Sequence, residues 1–184
     1  MASPFQLRLA ADTLRRGGVL AWPTEAIWGI GCDPLNPHAV QRLLDIKQRS
    51  PAKGLILMAA EYHQILPFLR PLPEKEMQAV LASWPGPHTW LLPASPKTPD
   101  WITGGSDLVA ARVTAHPLSQ ALCRAFGGAL VSTSANRSGH PPARNALEVL
   151  RRCPGSDALL HGATGGRNTP TEIRNALTGE VIRP

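Results

Sequence analysis

The segment Ser132-Thr133-Ser134-Ala135-Asn136-Arg137-Ser138-Gly139 follows the short apolar run Ala129-Leu130-Val131. The run predicts a strand, so four hydrogen-bonding side chains fall within five positions at a strand end. Ligands of open α/β sheets usually bind at such ends. Because a buried hydroxyl or amide without a partner costs about 1–3 kcal/mol, packing alone does not favour such a cluster. The segment therefore predicts a turn that holds a polar ligand.

Helical and strand-like apolar patterns alternate on both sides of this turn. Helices are predicted over 5–16, 36–49, 74–84, 118–126 and 145–152, strands over 19–22, 55–58, 89–92, 108–113 and 129–131, and a hairpin over 171–183. Residues 162–169, rich in Gly and Thr, predict a flexible loop. Strands and helices mix without βαβ regularity. The expected fold is α/β, a twisted mixed sheet with flanking helices in one domain over 1–184.

Composition narrows the class of protein. The three cysteines form no C-x-x-C pair, which argues against a disulfide framework and a zinc site. The net charge of +6 suits nucleic acid, nucleotide or another phosphorylated partner, although a basic surface can also be idle. No signal pattern and no apolar run of membrane-spanning length is present. We expect a cytoplasmic protein with no membrane partner.

A basic cluster lies where the second predicted helix meets a strand. Lys47-Gln48-Arg49 is followed by Pro51, Lys53 and Gly54. Residues two apart in a chain leaving its helix can face one side, so we expect Lys47 and Arg49 to converge on an anion. The alternative is that these cations stabilise the helix C-terminus, which does not explain Pro51 and Gly54. The cluster therefore favours anion binding.

Two other strand ends carry polar groups. Thr24 and Glu25 follow the first strand, where an ordinary turn or N-cap is the alternative. Arg112 closes a buried strand and needs a partner, either a structural or a ligand carboxylate. No P-loop, G-x-G-x-x-G, G-x-S-x-G or H-E-x-x-H motif occurs. A nucleophilic Ser134 would need a histidine base, and none is local.

Seven motifs occur in a particular order along residues 6–183. They are Pro23-Thr24-Glu25-Ala26 with Trp28-Gly29, Lys47-Gln48-Arg49, Lys53-Gly54-Leu55, Trp84-Pro85-Gly86-Pro87, Ala111-Arg112-Val113, the 132–139 segment and Pro170-Thr171-Glu172-Ile173. In this order they resemble the YrdC/TsaC family of threonylcarbamoyl-AMP synthases, in its short TsaC form. The resemblance implies a mixed α/β fold around a concave basic cavity.

The resemblance also implies a reaction. L-threonine, bicarbonate or CO2, and ATP would give threonylcarbamoyl-AMP and pyrophosphate, and partner proteins would transfer the threonylcarbamoyl group to tRNA beside the anticodon. This chemistry needs positioning and charge cancellation rather than a protein nucleophile. The alternative function is a non-catalytic module that binds double-stranded RNA or tRNA in ribosome or tRNA maturation. Direct binding of tRNA is compatible with either function.

The resemblance assigns roles to individual residues. Catalysis would fall to Lys47 and Arg49, and Mg2+ would bridge the ATP phosphates. ATP would be bound by Lys47, Arg49, Lys53, Ser134, Asn136 and Arg183, and threonine by Thr24, Arg112, Ser132 and Thr171. The chain departs from many relatives at Ala26, Trp28 and Met58, where they have Thr, Tyr and His. Two of these departures, Ala26 and Met58, fall near the expected threonine pocket.

Overall fold

A computed structural model describes residues 2–167, 169 and 171–183. The α-helices in this part of the chain are α1 (Pro4–Arg15), α2 (Pro37–Lys47), α3 (Glu74–Ala82), α4 (Asp100–Thr103), α5 (Pro117–Phe126) and α6 (Ala146–Arg152). The strands are β1 (Leu20–Pro23), β2 (Trp28–Gly31), β3 (Ile56–Ala59), β4 (His88–Pro93), β5 (Leu108–Val113), β6 (Leu130–Val131), β7 (Thr133–Ser134), β8 (Ala158–Leu159), β9 (Glu172–Asn175) and β10 (Val181–Arg183).

The strands are divided between two mixed sheets. The first sheet has the order β7-β2-β1-β8, and the second has the order β10-β9-β4-β5-β3-β6. The pairs β1/β8, β3/β5 and β4/β9 are parallel, and the other pairs are antiparallel. The predicted class, mixed α/β with flanking helices, is confirmed. The predicted C-terminal hairpin is also present, as β9 and β10.

The 132–139 segment connects the two sheets. Before it, β6 pairs with β3 of the second sheet, with Val131 opposite Leu57. After Ser132 the chain enters the first sheet, where β7 pairs with β2. The prediction of a simple turn was therefore wrong for its first residues, because Thr133 and Ser134 form a strand. This crossover places their side chains where the two sheets meet.

The sequence pattern did not predict the strand β2, because glycine alternates along it. Glycine weakens a strand pattern, yet here it allows a close approach between backbones. A Cβ atom added to Gly31 would lie only 1.7 Å from the carbonyl oxygen of Val131. Any side chain at Gly31 would thus force β2 away from β6. The short elements α4, β7 and β8 were also missed.

The core lies on both faces of the first sheet. Along β1, Leu20 and Trp22 pack in a cluster with α1 and α5, while Ala21 belongs to a larger cluster with α2 and the second sheet. Both faces of β1 are buried, which explains its continuous apolar sequence. All three cysteines, which lie in the described part of the chain, are buried and unpaired.

The predicted ends of the helices need small corrections. The second helix ends at Lys47 rather than Arg49, because Gln48 takes a left-handed conformation as its C-cap. Its predicted N-cap is confirmed, since the Asn36 side chain accepts a hydrogen bond from the Ala39 amide. Among the described helices, none combines the length and the apolar sequence needed to cross a bilayer.

Candidate functional site

A cavity of about 560 Å3 is lined by residues of both sheets. This volume falls in the range of about 300–1,000 Å3 that is typical of small-molecule sites. Eight of the ten residues predicted for the site line it: Thr24, Arg49, Lys53, Arg112, Ser132, Ser134, Thr171 and Arg183. The structure therefore brings together residues that are up to 159 positions apart in sequence, from Thr24 to Arg183. Lys47 and Asn136 do not belong to the lining.

The cavity wall is basic. Its lining includes Arg49, Lys53, Arg112 and Arg183, and no Asp or Glu among the residues that the structure describes. Burial lowers the pKa of Arg183, and the nearby charges of Arg112 and Arg49 lower it further. The positive charges of these arginines therefore repel one another across the cavity. A polyanion would relieve this repulsion, because opposite charge favours the protonated guanidinium groups.

Lys47 lies behind the wall rather than on it. Its side chain is 2% exposed, and its ammonium group donates to the Ser134 carbonyl, to the Asn136 carbonyl (2.9 Å) and to the Asn136 side-chain oxygen (3.2 Å). An ammonium group has three protons, so these acceptors use all of them. In this structure the Lys47 ammonium is therefore bound by protein oxygens, and its expected convergence with Arg49 on one anion stays a prediction. Burial also lowers the pKa of Lys47 to about 8.

Ser134 and Asn136 form one hydrogen-bonded unit in front of Lys47. The Ser134 hydroxyl donates to Oδ1 of Asn136 at 2.6 Å, and Nδ2 of Asn136 donates to the His140 carbonyl. Among the described residues, no histidine ring bonds to the Ser134 hydroxyl. This arrangement suits a hydrogen-bonding contact and lacks the base that a serine nucleophile requires.

Arg49 lies in the turn after α2 and lines the cavity. Its Nη2 donates to the carbonyls of Lys53 (3.2 Å) and Gly54 (3.0 Å), while its buried Nε has no partner within the described chain. The sequence left open whether Gly54 admits a ligand or a backbone segment. A Cβ at Gly54 would lie 3.0 Å from the Thr103 carbonyl, so the close neighbour is the backbone of α4.

Arg112 has a structural carboxylate as its partner. Its Nη1 lies 3.3 Å from Oε2 of Glu25, and both side chains are buried. Burial alone would raise the pKa of Glu25, but Arg112 and the Thr114 hydroxyl together hold it below its ordinary value. Nη2 of Arg112 contacts only the sulfur of Met58, at 3.7 Å, and Nε has no partner among the described residues. Arg112 therefore keeps unused donors.

Two further predicted threonine contacts, Thr24 and Thr171, have hydroxyl groups that already bond within the protein. The Thr24 hydroxyl donates to the Ile27 carbonyl at 2.8 Å, which makes it part of the β1–β2 turn. The Thr171 hydroxyl pairs with that of Thr89, and the Thr171 carbonyl accepts from Nη2 of Arg183 at 2.8 Å. The last predicted motif thus joins the cavity through Thr171, while its Pro170 lies outside the described residues.

The three departures from the family pattern lie in different surroundings. Ala26 lines the cavity, whereas Trp28 is buried and meets the ring of His161 edge-on at 6.3 Å. Met58 is fully buried and faces Arg112. In the described chain, no group of three or more His, Cys, Asp or Glu side chains is arranged to hold a metal ion.

Two features of the site were not anticipated from the sequence. Thr114, directly after β5, donates its hydroxyl proton to Oε1 of Glu25 at 2.6 Å. The loop predicted to be flexible is docked in its first part: the amides of Gly165 and Arg167 donate to the carbonyls of Thr24 and Glu25. Asn168 of this loop lies outside the described residues. Long-range contacts of this kind leave no local pattern in a sequence.

Comparison with known proteins identifies the family. The family model Sua5_yciO_yrdC, with the description "Telomere recombination", matches residues 12–184. A threonylcarbamoyl-AMP synthase of Halorhodospira halophila is 56% identical over 182 residues, which cover 98% of this chain and 95% of that protein. One of Pseudomonas aeruginosa is 50% identical over 185 residues, and the match covers both chains completely.

A solved structure has the same fold. The crystal structure of P. abyssi Sua5 complexed with L-threonine superposes with a TM-score of 0.93 at 29% identity. The match covers 100% of this chain but only 55% of the Sua5 chain. With a family model over most of its length and relatives at 50% identity or more, the chain belongs to the Sua5/YciO/YrdC family.

Proposed function

We propose that this chain is a threonylcarbamoyl-AMP synthase, which forms threonylcarbamoyl-AMP from L-threonine, bicarbonate or CO2, and ATP. The names of relatives at 56% and 50% identity support the activity. The structural observation that supports this proposal is the basic cavity, where four cationic residues and several hydroxyls face one space. Triphosphate, carbamate and pyrophosphate are all anions, so such a wall suits every stage of the reaction.

The reaction forms two bonds between substrates. The neutral threonine amine bonds to the carbon of bicarbonate with loss of water, or to that of CO2 with loss of a proton, and an oxygen of this carbamate then attacks the α-phosphorus of ATP. The bond from that phosphorus to the bridging oxygen breaks, and pyrophosphate leaves with the electron pair. No bond to the protein is needed, which agrees with the hydrogen bond from Ser134 to Asn136 rather than to a base.

In this proposal the residues divide between two substrates. Arg49, Lys53 and Arg183 offset phosphate charge, and the Ser134–Asn136 unit orients the nucleotide. Arg112 binds the threonine carboxylate, beside Thr24, Ser132 and Thr171. Lys47 acts in catalysis by holding Ser134 and Asn136 in place, since its own protons are used by them.

We propose that Mg2+ enters the cavity bound to the ATP phosphates. The lining offers cations rather than carboxylates, so the phosphates themselves are the suitable ligands for this hard cation. Glu25 and Asp33 are occupied elsewhere, Glu25 by Arg112 and Asp33 by the amide of Leu35. The metal is in this view a part of the substrate MgATP.

Release of pyrophosphate from ATP tests the function. We expect release that requires both threonine and bicarbonate, and that falls by about 10²–10³-fold in Arg49→Ala and Lys53→Ala, as for loss of one transition-state donor. Lys97→Ala, which removes an exposed lysine outside the cavity, is the matched control and should retain activity. Release that does not depend on threonine would overturn the assignment.

The product would pass to cytoplasmic proteins that transfer the threonylcarbamoyl group to tRNA. The net charge of +6 supports direct contact with tRNA as a separate proposal. Such binding should weaken steeply with salt. RNA affinity without any pyrophosphate release would instead favour the non-catalytic RNA-binding function.

A further inference from the structure

Glu25 lies directly behind Arg112 at the cavity. Arg112 belongs to the lining, and Glu25 does not. Their side chains are 7% and 9% exposed, and the ion pair between them spans 3.3 Å. Glu25 therefore does not contact the cavity directly. Arg112 is its charged neighbour on the side of the cavity.

The position of Glu25 is set by contacts on its side chain and its backbone. Oε1 accepts the Thr114 hydroxyl proton at 2.6 Å, and the Thr114 oxygen in turn accepts from the amide of His116 at 3.1 Å. The Glu25 carbonyl accepts from the amide of Arg167 at 3.0 Å. Carboxylate and backbone are thus held by different elements, which leaves the carboxylate little freedom to move.

The guanidinium group of Arg112 has more donors than this carboxylate uses. Arginine offers five N–H groups in one plane. Here Nη1 faces Glu25, Nη2 meets only a thioether, and the buried Nε has no partner in the described chain. Unused buried donors are costly, and a second carboxylate is the group that pairs best with a planar fork. The arrangement favours an anionic ligand beside Arg112.

We propose that Glu25 is a positioning residue for the reaction: clamped by Thr114, it orients Arg112 so that the unused donors of the guanidinium bind the carboxylate of the amino-acid substrate. This inference rests on the proposed function. Glu25 does not touch the substrate, and its charge matters because it holds Arg112 by attraction. The ionised form persists at neutral pH, since Arg112 and Thr114 outweigh the effect of burial on the pKa of Glu25.

The substitution Glu25→Gln tests the charge with almost no change of shape. The amide oxygen can still accept from Thr114, but the attraction to Arg112 is lost. We expect the KM for threonine to rise at least about tenfold, while the KM for ATP stays within about twofold, because a single misplaced charge-assisted contact is worth about a factor of ten. Calorimetric titration with threonine alone should show the same loss of affinity.

Glu61→Gln is the matched control. Glu61 also pairs with an arginine, Arg124, at 3.0 Å, but both side chains are about half exposed and neither lines the cavity. The same chemical change at this surface pair should leave both KM values unaltered. An exposed ion pair contributes little, so the fold should be intact as well.

If Glu25→Gln does not fold, Thr114→Val provides a second test of the inference. Valine replaces the hydroxyl that clamps Glu25 by a methyl group, and it also removes the acceptor of the His116 amide. Because the Glu25 charge remains, the KM for threonine should rise in the same direction but less. Thr114→Ser restores the hydroxyl and should restore the KM. A residue with a merely structural role would change thermal stability and both KM values together, without this selectivity for threonine.

The outcomes separate the two proposals. If the wild type releases pyrophosphate only with threonine, and a folded Glu25→Gln or Thr114→Val has the wild-type KM for threonine, the inference fails alone. Equal increases in the KM for threonine and for ATP also overturn it. If the wild type shows no threonine-dependent release, the proposed function fails, and the inference falls with it.

Discussion

In the described chain one lysine, Lys47, and one arginine, Arg112, are buried. They differ in how many of their N–H donors are used by the protein. Lys47 donates to three neutral oxygens of Ser134 and Asn136. Arg112 has one carboxylate, a weak contact to sulfur, and a buried Nε without a partner in the described chain. One cation is saturated by the protein, and the other is not.

This difference teaches that charge alone does not identify a ligand contact. Both residues were assigned to substrates by motif, and both are cations near the cavity. A buried donor binds a ligand only when the fold leaves it unused, since each donor bonds mainly to one acceptor. On this count Arg112 is available to an anion, and Lys47 acts by fixing the segment that lines the cavity.

Removing Arg112 should have the largest effect. Arg112→Met leaves the Glu25 carboxylate buried without its counter-charge, and we expect the free energy of unfolding to fall by about 3–5 kcal/mol. Threonine-dependent pyrophosphate release should be lost. Urea unfolding followed by tryptophan fluorescence measures the stability. The double variant Arg112→Met/Glu25→Gln should recover most of the stability and none of the activity; equal instability of both variants would contradict the argument.

Removing Lys47 should come next. Lys47→Met keeps most of the side-chain volume but leaves the carbonyls of Ser134 and Asn136 without this donor, and we expect a loss of about 1–3 kcal/mol. Activity should fall with it. Lys75→Met, at an exposed position of α3, is the control. A stable Lys47→Met that has lost only its affinity for ATP would show that Lys47 contacts phosphate directly, as the sequence motif suggested.

Ser134→Ala should have a smaller effect on the fold. It removes the hydrogen bond to Asn136, which is worth about 0.5–1.5 kcal/mol. The cavity loses a hydroxyl at the same time, so pyrophosphate release should fall more than stability does. Ser138→Ala, in the same segment but outside the cavity lining, is the matched control and should retain both activity and stability. Full activity in Ser134→Ala would remove this residue from the site.

The smallest predicted effect is on pH dependence. Burial lowers the pKa of Lys47 from 10.5 to about 8, so the folded chain releases this proton before the unfolded chain does. Between these two values the unfolded state binds more protons, and this group makes the free energy of unfolding rise with pH. Activity should do the reverse and fall about threefold from pH 7.5 to 8.5, as one ammonium group titrates. If the free energy of unfolding and the activity both fell between pH 7.5 and 8.5, the role given to Lys47 would be contradicted.

Much of the fold could be predicted locally. The helices with apolar faces, the Asn36 N-cap and the C-terminal hairpin follow from short-range patterns. The strand β2 could not, since Gly31 is required by a contact with Val131, 100 residues away in sequence. The division of the strands into two sheets was missed for the same reason. Pairing between distant strands is decided by contacts that no local window contains.

In the site too, the sequence motifs indicated residues but did not indicate the contacts that these residues make. Order and identity of the motifs predicted which residues gather, and eight of ten do line the cavity. Their partners were not predictable: the sequence left a structural or a ligand carboxylate open for Arg112, and it gave no sign of Thr114. The docking of the 162–167 loop on Thr24 and Glu25 was likewise invisible, because backbone hydrogen bonds do not depend on side-chain identity.

By itself, the sequence determined the α/β class and the family resemblance, and it predicted a set of polar and basic residues for one site. Only the tertiary structure decided which of these residues face the cavity and which support it from behind. The physical reason is that composition and spacing determine which donors and charges a chain carries. Whether a given donor is used up by the protein depends on the acceptors that folding brings beside it, as the saturated Lys47 and the unsaturated Arg112 show.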